Sequence, residues 1–239
     1  MFAGPNGSGK STIRDVLPAE FLGVYVNPDD LEREMKRSHC FDPRLFGLAA
    51  GPHEILDHLR RSTLWKKVEP KLPCREALPV YGGTLDLSGA EIDSYLASGL
   101  ADFVRTRLLE ARISFTFETV MSSGDKVEFL RSARSAGYRV YLYYIATEDP
   151  AINRSRVASR VRDGGHDVPP DKIASRYSRS LDLLFEAIRN SDRAYVFDNS
   201  SEDRVWVAEI TEGKHLEIKT NHVPRWFQRS VLDKVAPLS

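Results

Sequence analysis

The chain has 239 residues, 41% of them apolar and 28% charged, and its 34 basic and 34 acidic side chains cancel. That length allows a substantial core, and zero net charge argues against a dedicated nucleic-acid surface, which carries a basic excess. No stretch is apolar for long enough to span a membrane and no signal peptide precedes the first motif; Cys40 and Cys74 are too few for a disulfide framework, so the expectation is a cytoplasmic chain with reduced thiols.

The first element is a loop, Gly4-Pro5-Asn6-Gly7-Ser8-Gly9-Lys10-Ser11, which matches GxxxxGK[ST] at every fixed position. It runs into an apolar-periodic segment, Thr12 to Leu17, that reads as a helix. Such a loop offers backbone N–H groups and a lysine to linked phosphates, so residues Gly4 to Thr12 are the expected nucleotide site. Lys10 is expected on the β and γ phosphates and the Ser11 hydroxyl on Mg²⁺. Only Met1, Phe2 and Ala3 precede the loop, which leaves two readings: a stunted first strand, or a start upstream of this sequence.

Val24 to Asn27 reads as a strand, and Pro28 fits the first turn of a helix running toward Lys36. Residues 41–87, with five prolines and Gly82-Gly83, read as an elaboration containing a helical stretch from Glu54 to Leu64. Ser88 and Glu91 have capping-box spacing and predict a helix toward Glu110, with a break near Gly99. Ser114 to Glu118 reads as a strand, Ser122 to Asp125 as a helix start, and Gly137 as its stop. Tyr138 to Ala146 has the composition of a buried central strand. Asp149-Pro150 opens one helix, and Pro170 opens another with a stripe of Ile173, Tyr177, Leu181, Leu184 and Ile188. Ala194 to Phe197 reads as a strand, and Val205 to Ile210 with His215 to Ile218 as a hairpin. Strands alternating with long helices predict an α/β fold with a mostly parallel sheet, whose ligands lie beyond the carboxyl ends of the strands. Lys10, Asp29, Glu118 and Asp198 each follow a predicted strand.

Asp29 and Asp30 open a helix, where an aspartate either activates an acceptor hydroxyl or caps the helix. Glu118 ends an apolar strand and is either a functional carboxylate or half of a structural pair, with Thr119 beside it as a hydroxyl donor. Arg156 and Arg160 share a helix face at i,i+4, where like charges oppose each other unless an anion lies between them. With Arg162, the turn Gly164-Gly165-His166-Asp167-Val168-Pro169, and Arg176 and Arg179, they read as a helical lid for a triphosphate, or more plainly as a solvated basic face. The Tyr138 to Ala146 strand ends in Thr147-Glu148-Asp149 and not in an apolar run followed closely by an acidic magnesium ligand, which weighs against motor ATPases, and no histidine is paired or spaced as a metal ligand.

Taken together, the phosphate loop, Asn27-Pro28-Asp29, Phe117-Glu118-Thr119, Gly137-Tyr138-Arg139-Val140, the Gly164 to Pro169 turn, Arg176-Tyr177-Ser178-Arg179-Ser180 and Phe197-Asp198-Asn199-Ser200 resemble the zeta-toxin-like branch of P-loop kinases, over most of residues 1–200. The resemblance implies a single kinase domain over residues 1–239 with the three-layer αβα P-loop NTPase fold, a helical lid and 41–87 inserted. It also implies a cytoplasmic enzyme that uses ATP or GTP with Mg²⁺ to phosphorylate the hydroxyl of a small-molecule acceptor, in characterised members UDP-N-acetylglucosamine. By the family pattern Asp29 activates the acceptor, Glu118 and Thr119 bind it, Lys10 and Ser11 serve the nucleotide, and Arg156, Arg160, Arg162 and Arg176 are the candidate lid cations. The 41–87 elaboration departs from compact members and is expected either to set acceptor choice or to serve as a structural cover for one sheet edge. Nothing in the chain implies an antitoxin partner, and the alternative is a nucleotide-binding ATPase or interaction module without a small-molecule acceptor.

Overall fold

The computed structural model describes residues 1–14, 17–73, 80–81, 83–162 and 168–235. Cys74, Arg75, Pro79, Gly82, the Gly164-Gly165-His166-Asp167 turn and part of the predicted Thr12 to Leu17 helix lie outside the described residues. In chain order the elements are β1 (Phe2–Ala3), α1 (Ser11–Arg14), β2 (Val24–Val26), α2 (Pro28–Ser38), β3 (Cys40–Phe41), α3 (Pro52–Arg61), α4 (Trp65–Val68), β4 (Val80–Tyr81), β5 (Thr84–Asp86) and α5 (Ser94–Glu110). There follow β6 (Phe115–Thr119), α6 (Asp125–Ser135), β7 (Tyr141–Ala146), α7 (Pro150–Arg162), α8 (Pro170–Arg189), β8 (Arg193–Asp198), β9 (Val205–Thr211), β10 (His215–Ile218) and a C-terminal helical segment that opens with α9 (Arg225–Phe227). The result is an α/β fold with mostly parallel strands and flanking helices, as the alternation of strand and helix predicts.

The chain divides into two compact units, Met1–Pro18 with Glu118–Ser239, and Ala19–Phe117. In the first, β1 lies between the end of β6 and β7, parallel to both, with Phe2 opposite Glu118 on one side and Tyr143 on the other. Although β1 has two residues, Met1, Phe2 and Ala3 are all buried, and the Met1 nitrogen donates to Tyr141 O at 2.7 Å. β8 continues the sheet parallel to β7, and β9 and β10 close it antiparallel. In β7 Leu142, Tyr144, Ile145 and Ala146 are buried, with Ala194 opposite Leu142 and Val196 opposite Tyr144, as expected of a central strand covered on both faces. α8 buries Ile173, Tyr177, Ser180, Leu184, Ala187 and Ile188, the stripe expected from the sequence with Ser180 in it and without Leu181.

In the second unit β2 runs parallel to Phe115–Phe117 of β6, and α2 packs its buried Leu31 and Met35 on the side of α5. β3, β5 and β4 form a small antiparallel sheet within the region read as an elaboration. Two expectations fail here for local reasons. The helix after Ser88 starts at Ser94, because Asp93 outcompetes the proposed box: its carboxylate accepts from Tyr95 N and Leu96 N, while Glu91 is drawn to Lys71. Gly99 does not break α5 either. A Cβ at Gly99 would sit 2.7 Å from Leu59 Cδ2, so glycine there lets α3 pack closely.

Asp198 ends β8 but is not a free functional carboxylate. It is 7% exposed, takes the indole N–H of Trp226 at 2.6 Å and caps Ser200 N at 2.9 Å. Trp226→Phe removes that donor and leaves a buried acceptor short of one partner, so chemical denaturation should show a loss of about 1–3 kcal/mol. An unchanged midpoint and slope would mean that the indole contact carries no stability.

Candidate active site: a braced phosphate loop

The loop after β1 is held open by groups from two distant segments of the same unit. Asn153, buried in the first turns of α7, donates its amide to Asn6 O at 2.7 Å, and its own oxygen accepts from the Thr147 hydroxyl. Asn199, just past β8, donates its amide to Ser8 O at 2.9 Å. Gly9 has φ +93°, and a Cβ built there would lie 2.3 Å from Asn199 Nδ2, so a bare backbone is what lets this brace reach the loop. Lys10 folds back with Nζ on Gly4 O at 2.9 Å and Pro5 O at 3.1 Å. Ser8 Oγ and Asn6 Oδ1 are buried with no hydrogen-bond partner among the described residues. Ser11 and Thr12 face solvent at the start of α1, with the Thr12 hydroxyl donating to Gly9 O at 2.8 Å. A curved backbone, orphaned polar atoms and a reachable lysine fit a chain of phosphates, and the exposed Ser11 hydroxyl fits a magnesium ligand.

The other predicted residues fall into distinct settings. Glu118 is 7% exposed at the end of β6. Thr119, next along, is partly engaged: its Oγ1 accepts from Met121 N at 3.0 Å, which holds Met121 at φ +53°, and its hydroxyl hydrogen remains available. The following carbonyl, Val120 O, accepts from Ser180 Oγ on α8 at 2.8 Å, and Ser180 lies 3.0 Å from the Tyr144 hydroxyl. Burial pushes the Tyr144 phenol far above its ordinary value, so it stays a neutral donor. Tyr177, also raised by burial, donates to Thr147 O at 2.6 Å. Neighbouring turns of the helix that carries Arg176 are thus tied to the turns after β6 and β7.

Of the predicted lid cations, Arg156 donates to Asn199 O at 2.7 Å and to Ser201 O at 3.4 Å, so it supports the loop that supports the phosphate loop. Arg160 and Arg162 are exposed on α7, and Arg176 is half-buried on α8. In the second unit the capping role read for the aspartates belongs to Asn27, whose side chain accepts from Asp29 N at 2.9 Å. Asp30 pairs with Arg33 at 3.0 Å, and the Asp29 carboxylate is exposed at the first turn of α2. His58 is bonded through Nε2 to Asp102 at 3.1 Å, a pairing 44 residues apart that spacing does not reveal. Among the described residues no cluster of His, Cys, Asp or Glu can hold a metal, and no helix is long and apolar enough to cross a membrane.

Asn153 and Asn199 escaped the sequence reading. Asn153 sits in a helix read for its arginines, and Asn199 lay inside a matched motif without an assigned role.

The zeta toxin family profile matches residues 74–211, more than half of the chain, and the chain belongs to that family. It is 23% identical over 185 residues to an uncharacterized protein of Haemophilus influenzae, covering 74% of this chain and 90% of that one. Among solved structures it is similar to the AvrRxo1-ORF1:-ORF2 complex with ATP, with a TM-score of 0.52 and 16% identity, over 91% of this chain and 60% of that one. It is also similar to the PezAT chromosomal toxin–antitoxin system of Streptococcus pneumoniae, with a TM-score of 0.51 and 16% identity, over 100% of this chain and 80% of that one. The chain therefore spans about three fifths of the AvrRxo1 structure it matches, and at these identities the likeness is one of fold. Family and fold together place the chain in the general class of nucleotide-dependent kinases.

The braces yield a direct expectation. Asn153→Ala and Asn199→Ala should each weaken ATP binding about 10-fold, because each frees a loop carbonyl and loosens the cradle. Titration calorimetry against the parent protein measures it; full affinity in both variants would mean that the loop holds its shape unaided.

Proposed function

We propose that the protein transfers the γ-phosphoryl of ATP or GTP to a hydroxyl of a small acceptor, a nucleotide sugar such as UDP-N-acetylglucosamine being the first candidate. The observation that carries this is the braced loop with Lys10 at its mouth, in a chain of the zeta toxin family. The loop N–H groups bind the phosphates, and Lys10 exchanges its two carbonyl contacts for phosphate oxygens. Ser11 would hold Mg²⁺, which when bound neutralises charge on the phosphates. Asp29 orients the acceptor hydroxyl and takes its proton. Within its own unit each follows a strand, Asp29 after β2 and Lys10 after β1. Glu118 and Thr119 bind the acceptor, and Arg160, Arg162 and Arg176 close over the transferred group, with Arg156 assigned to the lid more loosely because loop carbonyls already occupy it. In this reading residues 1–239 act as one kinase domain in the cytoplasm, with 41–87 shaping acceptor choice.

The test is transfer of label from γ-labelled ATP to nucleotide sugars or a metabolite extract, with the product identified by mass spectrometry. Lys10→Ala should abolish product, and Asp29→Asn should lower kcat about 10²- to 10⁴-fold at similar nucleotide KM. Release of phosphate alone, unchanged in Asp29→Asn, would favour an ATPase, and binding without turnover an interaction module. Within 41–87, Arg60 and Arg61 on α3 offer single replacements in a folded region, and unchanged selectivity across acceptors would count against a role there.

A further inference from the structure

Beyond the lid, a second cation faces the phosphate loop from the opposite direction in the sequence. Arg204 directly precedes β9, at the end of the loop that begins with Asn199, and its Nη1 donates to Thr12 Oγ1 at 3.1 Å. The guanidinium lies over the half-buried Phe197 ring, 5.6 Å from its centroid. Thr12 Oγ1 already donates to Gly9 O, so Arg204 is received by its lone pair and is tied to the loop's own hydrogen bonding. Among the described residues no carboxylate is paired with Arg204, although Glu202 and Asp203 directly precede it. The guanidinium has five N–H donors, of which one is given to the Thr12 hydroxyl at an exposed contact, so others remain for an anion arriving from solvent.

We propose that Arg204 is a nucleotide-contacting residue that binds at the α-phosphate end of the site. The inference rests on the nucleotide reading of the loop. In loops of this pattern the lysine serves the β and γ phosphates, while the backbone entering the helix cradles α and β. Arg204 stands against Thr12, two residues past Lys10, with Asn199 bracing Ser8 from the same segment. Its charge therefore answers the part of the nucleotide that is common to substrate and product, not the group that moves. It contributes to nucleotide affinity, and the lid arginines are left to act on transfer.

Titration calorimetry of wild type, Arg204→Met, Arg204→Lys and Lys10→Ala with ATP and with ADP, both with Mg²⁺, tests this. Methionine keeps an apolar stem on Phe197 and removes the charge. It should weaken ATP and ADP by the same factor, about 10- to 100-fold, with lysine recovering part of the loss. Lys10→Ala should weaken ATP more than ADP. The nucleotide-free melting temperature of Arg204→Met should stay close to that of wild type. Wild-type affinity for both nucleotides in Arg204→Met, or a loss confined to ATP, overturns the proposal. A wild-type protein that binds neither nucleotide overturns the loop reading itself, and is told apart because the reference protein then fails as well.

Discussion

Two asparagine amides set the shape of the phosphate loop, and the chemistry of the first unit depends on them. A glycine-rich loop loses more conformational freedom on ordering than other chain, so without fixed partners it would pay that entropy at each binding event. Asn153 and Asn199 meet part of that cost in the folded state by holding Asn6 O and Ser8 O. Each is held in turn: Asn153 by the Thr147 hydroxyl, and the Asn199 segment by Arg156 and by Asp198, whose carboxylate is fixed by Trp226. A chain of hydrogen bonds thereby runs from the C-terminal helical segment through Asp198 and Ser200 N toward the segment whose Asn199 holds the phosphate loop.

The arrangement also links phosphate loop and lid. α7 starts at the loop brace and ends in the exposed Arg160 and Arg162, while α8 is pinned by Tyr177 to Thr147 O and by Ser180 to Val120 O. The same helices that carry Arg160, Arg162 and Arg176 are anchored at the turns that follow β6 and β7. Charge is placed accordingly: arginines on the outer turns, neutral buried donors on the inner ones, since a phenol raised by burial keeps its proton and its hydrogen bond.

Much of this fold was legible in the sequence because its punctuation is local. Pro28, Pro150 and Pro170 mark helix starts, Gly137 a helix stop, and the Tyr138 to Ala146 run a buried strand that forms from Tyr141 on, each decided by its own residues and near neighbours. The phosphate loop was legible for the same reason. What escaped was set by partners far away in sequence: Asn199 reaches across 191 residues to Ser8, Arg204 across 192 to Thr12, and Asn153 across 147 to Asn6. The misplaced start of α5 has another cause. Ser88 with Glu91 and Asp93 alone are both legal caps, and the choice fell to Asp93, whose one oxygen caps Tyr95 N and Leu96 N while the other takes Lys71, because Asp86 takes Ser88.

Amide hydrogen exchange, measured on the whole protein with and without Mg²⁺-ATP, tests most directly whether this braced loop is the nucleotide cradle. The account predicts that ATP slows exchange most strongly in the peptide covering Gly7 to Thr12, whose N–H groups take up phosphate oxygens, with smaller slowing around Asn153 and Asn199, which are already ordered. ATP that slows exchange elsewhere and leaves Gly7 to Thr12 unchanged would contradict it.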